Sequence, residues 1–256
     1  MCIDRIRVKK AFDEYVSNYN SSNGKIKLKI YHTIKVSKIS EKIAIKIGLD
    51  KKGVDIAFLI GMLHDIGRFE QVKRYGTFKD SLSVNHAELG AEILFSKGKI
   101  RDFIDDNKYD EIIEKSILNH NLYKLPIDID EKVSVFSKII RDADKADIFR
   151  VNVCDSPIDV YGYTKEEMVN SEISKEVVKS FMTKETVPHS LVKSPVDILV
   201  SHIALIFGIY YNESIEIIRE EGYFDKLIKF KSNNDITNEI FKDIIEISHS
   251  YLSGNR

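Results

Sequence analysis

The chain is poor in the residues that interrupt helices, with four prolines and twelve glycines among 256 residues. With apolar residues spaced mainly three and four apart, that scarcity predicts an all-α fold. Cysteine is scarce too. Cys2 and Cys154 form no CxxC pair, which argues against a disulfide framework or a thiolate zinc site and fits a reducing cytoplasm. Net charge is nearly absent, because 39 Lys and Arg stand against 40 Asp and Glu. No global field therefore recruits nucleic acid or an anionic membrane, and any anionic ligand has to be met locally. The lysines at 25–46 and 226–231 have acids interleaved nearby, as on a solvated helix face. The N-terminal MCIDRIRVKKAFDEY is charged throughout and lacks the apolar core of a signal peptide. The longest later apolar stretch, Val196 to Tyr211, contains Asp197, Ser201 and His202 and falls short of the roughly 20 residues of a membrane span. The expectation is a cytoplasmic protein without membrane or nucleic-acid partners, and its 43% hydrophobic content is ample for a core.

No repeat, low-complexity tract or flexible linker divides the sequence. It reads as a single globular domain over 1–256, with a helical core at about 26–152 and a C-terminal helical extension at about 153–256 packed on it. A first helix is expected from Ile3 to Tyr19, ended by NSSNG. A second, from Lys25 to Ile47, puts His32, Val36, Ile39, Ile43 and Ile47 on one inward stripe and stops at Gly48. Asp55 to Asp65 is apolar nearly all round and should be the central helix, with Gly67 as its stop. Asn85 with Glu88 opens a helix running to about Ser96. Further helices are expected over Asp110 to His120 and Asp130 to Asn152. Later starts are signalled by Thr164 with Glu167 and by Ser194-Pro195 with Asp197, and Gly222 closes a helix over Asn212 to Glu221.

GMLHDIGRFE, residues 61–70, sets a histidine and an aspartate at the end of that central apolar helix. A lone histidine on an apolar face is usually a hydrogen-bonded core residue. His32, His64, His86 and His120, however, all face inward or sit at helix ends, and Asp65 and Asp144 occupy equally buried contexts. Buried carboxylates are costly unless paired or bound to metal. Imidazole and carboxylate ligands without thiolate suit iron, manganese, cobalt, nickel or zinc in a site with open positions. His86 can also be read as part of a cap and His120 as a partner of a helix C-terminal dipole.

His32, then His64-Asp65, then Asp144 in RDADKADIFR, resembles the H…HD…D signature of the HD-domain metal-dependent phosphohydrolases. HDIGRFEQVKRYGTF and NHAELG are similar to one bacterial, HDIG-type branch, and the resemblance spans roughly residues 26–150. It implies an all-α core in which His32, His64, Asp65 and Asp144 hold one divalent transition metal. In dinuclear members His86 and His120 would bind a second, with Asp65 bridging. The implied activity is cleavage of a phosphoester or phosphoanhydride bond in a nucleotide or small phosphorylated metabolite by metal-bound hydroxide. Arg68 and Lys145 are the nearest fixed positive charges for catalysis and substrate binding, although Lys145 also fits a structural salt bridge. Arg74, Tyr75 and Lys79 fall in a stretch suited to a lid. Asp147 fits either a residue orienting a ligand histidine or a helix-surface carboxylate. His189 fits a loop contact, His202 a satisfied core residue and His249 the surface. NHN at 119–121, with no GYP motif, argues against the cyclic di-GMP subfamily. Two other classes share the pattern: dinuclear-iron HD oxygenases, and non-catalytic nucleotide-binding modules. The apolar ILVSHIALIFGIYY suits either an active-site wall or a homodimer interface.

Overall fold

The computed structural model describes residues 3–254, and those residues form helices and no strand, as the spacing predicts. The chain falls into two compact units divided between Asp144 and Lys145, a point inside one long helix. The first unit holds α1 (Arg5–Val16), α2 (Gly24–Lys46), α3 (Lys51–Leu63), α4 (Ile66–Tyr75) and α5 (His86–Ala91). Then come α6 (Ile100–Phe103), α7 (Asp110–Asn119) and the first part of α8 (Glu131–Cys154). Short polar side chains start these helices by accepting otherwise unpaired backbone N–H groups. Asp4 caps α1, Asn23 caps α2, Asp50 caps α3 and Asn85 caps α5. The helix expected to run to Ser96 is α-helical only to Ala91 and finishes as a π-helical segment, Glu92–Ser96.

Helix α3 is buried from Gly53 to Leu63 on every face, so it is the central helix of this unit. It packs along α2, and the approach is close because Gly61 has no side chain. A Cβ there would lie 2.5 Å from the Ser37 Cα. Gly67 behaves differently from the expectation. It does not end the central helix, which stops at Leu63, but is the second residue of α4. Its missing side chain lets α4 and α5 meet, since a Cβ would come 2.2 Å from the His86 carbonyl oxygen and 2.7 Å from the Gly90 nitrogen. The glycine that stops α4 is Gly76, in the left-handed conformation at φ 67°. Arg74 and Tyr75 therefore lie in the last turn of a helix, not in a loop, and Arg74 pairs with Glu70 at 2.6 Å. Lys79 precedes a short 3-10 turn, Asp80–Leu82.

The second unit contains the end of α8, then α9 (Pro157–Tyr161), α10 (Lys165–Asn170), α11 (Lys175–Met182) and α12 (Pro195–Ile203). It ends with α13 (Asn212–Glu221), α14 (Tyr223–Leu227) and α15 (Asp235–Leu252). Capping boxes form at Thr164 with Glu167 and at Ser194 with Asp197, and Gly222 closes α13. Buried Asp197 also accepts from Ser174 and from the backbone of Lys193, which ties the start of α11 to the start of α12. Its core is aromatic, with Phe149 against Phe224 and Phe207 between Phe181 and Tyr251. Cys154 is a free, exposed thiol, and Cys2 lies outside the described residues. Among the described residues no helix is long and apolar enough to cross a membrane.

The α2–α3 contact yields a direct stability test. Gly61→Ala forces a methyl group onto the Ser37 backbone and should cost about 1–3 kcal/mol in denaturant unfolding. An unchanged unfolding midpoint would contradict the packing.

Candidate metal centre

Six local structures deliver the inward-facing polar residues of the first unit. His32 lies within the buried stripe of α2, and His64 is the C-cap of α3. Asp65, at φ −105° and ψ 16°, occupies the break between α3 and α4 and makes no capping hydrogen bond, so its carboxylate is not spent on the backbone. His86 is the first residue of α5, His120 the C-cap of α7, and Asp144 sits deep in α8. The four imidazoles and Asp65 are buried, whereas the Asp144 side chain is 21% exposed. All six residues singled out as ligands in the sequence come together.

The two oxygens of Asp65 divide the histidines into pairs. Oδ2 faces His64 Nε2 at 3.4 Å and His32 Nε2 at 3.6 Å, while Oδ1 faces His86 Nε2 at 3.5 Å and His120 Nε2 at 3.8 Å. Asp144 Oδ1 completes the first group, 3.0 Å from His32 Nε2 and 3.9 Å from His64 Nε2. In the second group the Nε2 atoms of His86 and His120 are 3.0 Å apart. Two triads, His32/His64/Asp65 and Asp65/His86/His120, have ligand atoms all within 4.8 Å of one another.

Three of these imidazoles are held by the opposite nitrogen. His64 Nδ1 meets the Gly61 carbonyl at 2.9 Å, His120 Nδ1 the Ile117 carbonyl at 2.6 Å, and His86 Nδ1 the Asp80 carboxylate at 2.7 Å. Each contact assigns the proton to Nδ1 and leaves a lone pair on Nε2, the arrangement that fixes a ligand histidine. His64 Nε2 is buried with no hydrogen-bond partner. A buried nitrogen lone pair without a donor is costly, and a cation removes that cost. The all-nitrogen-and-oxygen donor set fits a divalent ion of the first transition row.

Two supporting residues were not singled out in the sequence. Asp80 holds His86 and in turn accepts from Arg68 Nη1 and Gln71 Nε2, both at 2.8 Å. It reaches the site from the single 3-10 turn between α4 and α5, so helical periodicity carries no sign of it. Lys29 donates to Asp65 Oδ2 at 2.6 Å. Its position three residues before His32 on α2 was the available signal. Arg68 gives Nη1 to the Phe78 carbonyl, Gln71 and Asp80, and its buried Nε lies 3.6 Å from Asp65 Oδ1 without a hydrogen bond.

Burial alone would raise the Asp65 carboxyl, but Lys29 and Arg68 hold it well below the usual carboxylate range. Asp144 and Asp80 are likewise kept ionised against burial, the first by His32, the second by His86 and Arg68. Burial and Arg68 lower His86, and burial with the neighbouring His86 and His64 pushes His120 down to about 3. Both rings are therefore neutral at neutral pH, as ligands must be.

The remaining sequence candidates belong to the second unit. Lys145 begins the second unit, with Nζ on the Gly208 carbonyl and 5.4 Å from the Tyr210 ring centre. Asp147 is buried, not a surface carboxylate, because Arg150 grips both its oxygens at 2.6 and 2.8 Å. His202 contacts Asn152 Oδ1 at 3.0 Å and stacks on Tyr161, as a satisfied core residue should. His189 and His249 are exposed.

The depressed histidines set the sign of an acid response. The unfolded chain takes up protons near 6.5 and the folded His120 only near 3, so its contribution to stability is complete above 6.5 and lost as pH falls below it. The melting temperature of metal-free protein should drop from pH 7 to pH 5, and His120→Gln should make that drop shallower. Equal pH slopes for the two proteins would contradict the assignment.

The family model for the HD domain matches residues 30–148, a span that starts just before His32 and ends just after Asp144. No curated protein and no solved structure matches the chain. The HD domain marks a superfamily of metal-dependent hydrolases, and the His/Asp groups here could hold a metal. With its order of histidine, His-Asp dyad and distal aspartate on helices, residues 30–148 of this chain match the HD-domain family.

Proposed function

We propose that the protein is a metal-dependent phosphohydrolase that cleaves a phosphoester or phosphoanhydride bond in a nucleotide or other small phosphorylated metabolite. The observation that carries this reading is the division of Asp65, one oxygen toward His32 and His64 and the other toward His86 and His120. In it His32, His64, Asp65 and Asp144 hold one divalent ion, and Asp65, His86 and His120 hold a second, drawn from Fe, Mn, Co, Ni or Zn. Such ions supply Lewis acidity: they acidify water and neutralise charge that builds on phosphoryl oxygens.

The chain's own residues do the positioning. Backbone carbonyls of Gly61 and Ile117 and the Asp80 carboxylate keep three Nε2 atoms aimed inward, so little reorganisation is required when the site fills. Arg68 contributes fixed positive charge beside Asp65 Oδ1, and its bonds to Phe78, Gln71 and Asp80 hold that charge in place. A phosphorylated substrate, multiply anionic, is favoured there even though the whole chain is nearly neutral.

The test is metal analysis of protein purified without added metal, followed by phosphate release across a panel of nucleotides and sugar phosphates. Activity should require a transition metal and fall at least about 1,000-fold in Asp65→Ala. Phosphate release indifferent to chelator would contradict the proposal, as would dioxygen consumption in place of phosphate release.

A further inference from the structure

Asp65 has a partner outside the proposed ligand set. Lys29 stands one helical turn before His32 on α2, its side chain 15% exposed, and its Nζ sits 2.6 Å from Asp65 Oδ2. That is nearer than any imidazole nitrogen comes to this carboxylate, the closest being 3.4 Å. The oxygen it contacts is the one that faces His32 and His64. The ammonium also lies 5.4 Å from the Phe78 ring centre.

An ammonium and a divalent cation on one carboxylate oxygen repel, and burial weakens the solvent screening that would soften the repulsion. Asp65 without any positive partner would be a buried charge of high cost. We infer that Lys29 is an internal counter-ion, holding Asp65 in the metal-free protein and leaving Oδ2 when a divalent cation enters the His32–His64 group. This inference rests on the metal reading above and adds a regulatory element: the site's cation affinity is set by competition with its own lysine. The flexible four-carbon stem permits the move, and the Phe78 face offers the displaced ammonium a place to settle. A monovalent ion, carrying no more charge than the ammonium it must displace, is disfavoured, so Lys29 also acts as a selectivity element.

The experiment is calorimetric titration of metal-free protein with Mn2+, together with melting of metal-free and Mn2+-loaded samples, for wild type, Lys29→Met and Lys29→Arg. Lys29→Met should bind the first Mn2+ about 10-fold or more tightly than wild type, because no internal cation has to be displaced. Its metal-free form should melt below wild type and its loaded form alongside wild type, whereas Lys29→Arg should behave as wild type throughout. Lys29→Gln gives the same comparison if the methionine variant fails to fold. Equal or weaker Mn2+ affinity in the neutral variants, or metal-free neutral variants as stable as wild type, would overturn the inference alone. A wild-type protein that binds no Mn2+ would overturn the metal reading and this inference with it.

Discussion

The structure of the first unit depends on one buried carboxylate. An ionised Asp65 among apolar helices would be unaffordable without compensation, and the compensation is a shell of nitrogen atoms. Four imidazoles and two cationic side chains surround it, and each is itself anchored or carried by a helix whose other faces are apolar. This inverts the ordinary logic of a hydrophobic core. The apolar bulk of α3 and its neighbours encloses a polar centre and holds its side chains in place.

Close backbone approach is what brings the centre together. Gly61 lets α3 lie against α2, which fixes His64 relative to His32, and its carbonyl also sets the His64 tautomer. Gly67 lets α4 meet α5, which brings His86 toward Asp65. Two glycines thus act on the geometry of four ligand candidates without touching any ion. The break at Asp65 matters equally, because a residue in mid-helix would have its side chain constrained to one stripe, whereas here one carboxylate turns an oxygen toward each pair.

Much of this was legible in the sequence, for identifiable reasons. The 3.6-residue spacing in α2 put His32 inward, the apolar run of α3 marked the central helix, and the caps at Asn85, Thr164 and Ser194 lie where short polar residues predict them. Convergence of the six side chains was legible only through resemblance, since no local pattern brings position 144 to position 65. Gly67 misled because a glycine that ends a helix and a glycine that permits two helices to touch look alike in one dimension. Asp147 misled for a related reason: its partner Arg150 shares its own helix, and i to i+3 pairing reads the same on a surface as in a core. Asp80 and Lys29 act through contacts across a loop and between helices, where periodicity is silent.

The central claim is that Asp65 joins two cation sites. Its most direct test is anomalous diffraction from a crystal grown with Mn2+, which locates each ion independently of any activity. The account predicts two anomalous peaks flanking the Asp65 carboxylate, one beside His32, His64 and Asp144 and the other beside His86 and His120. Peaks confined to the protein surface, with the Asp65 region empty, would contradict it.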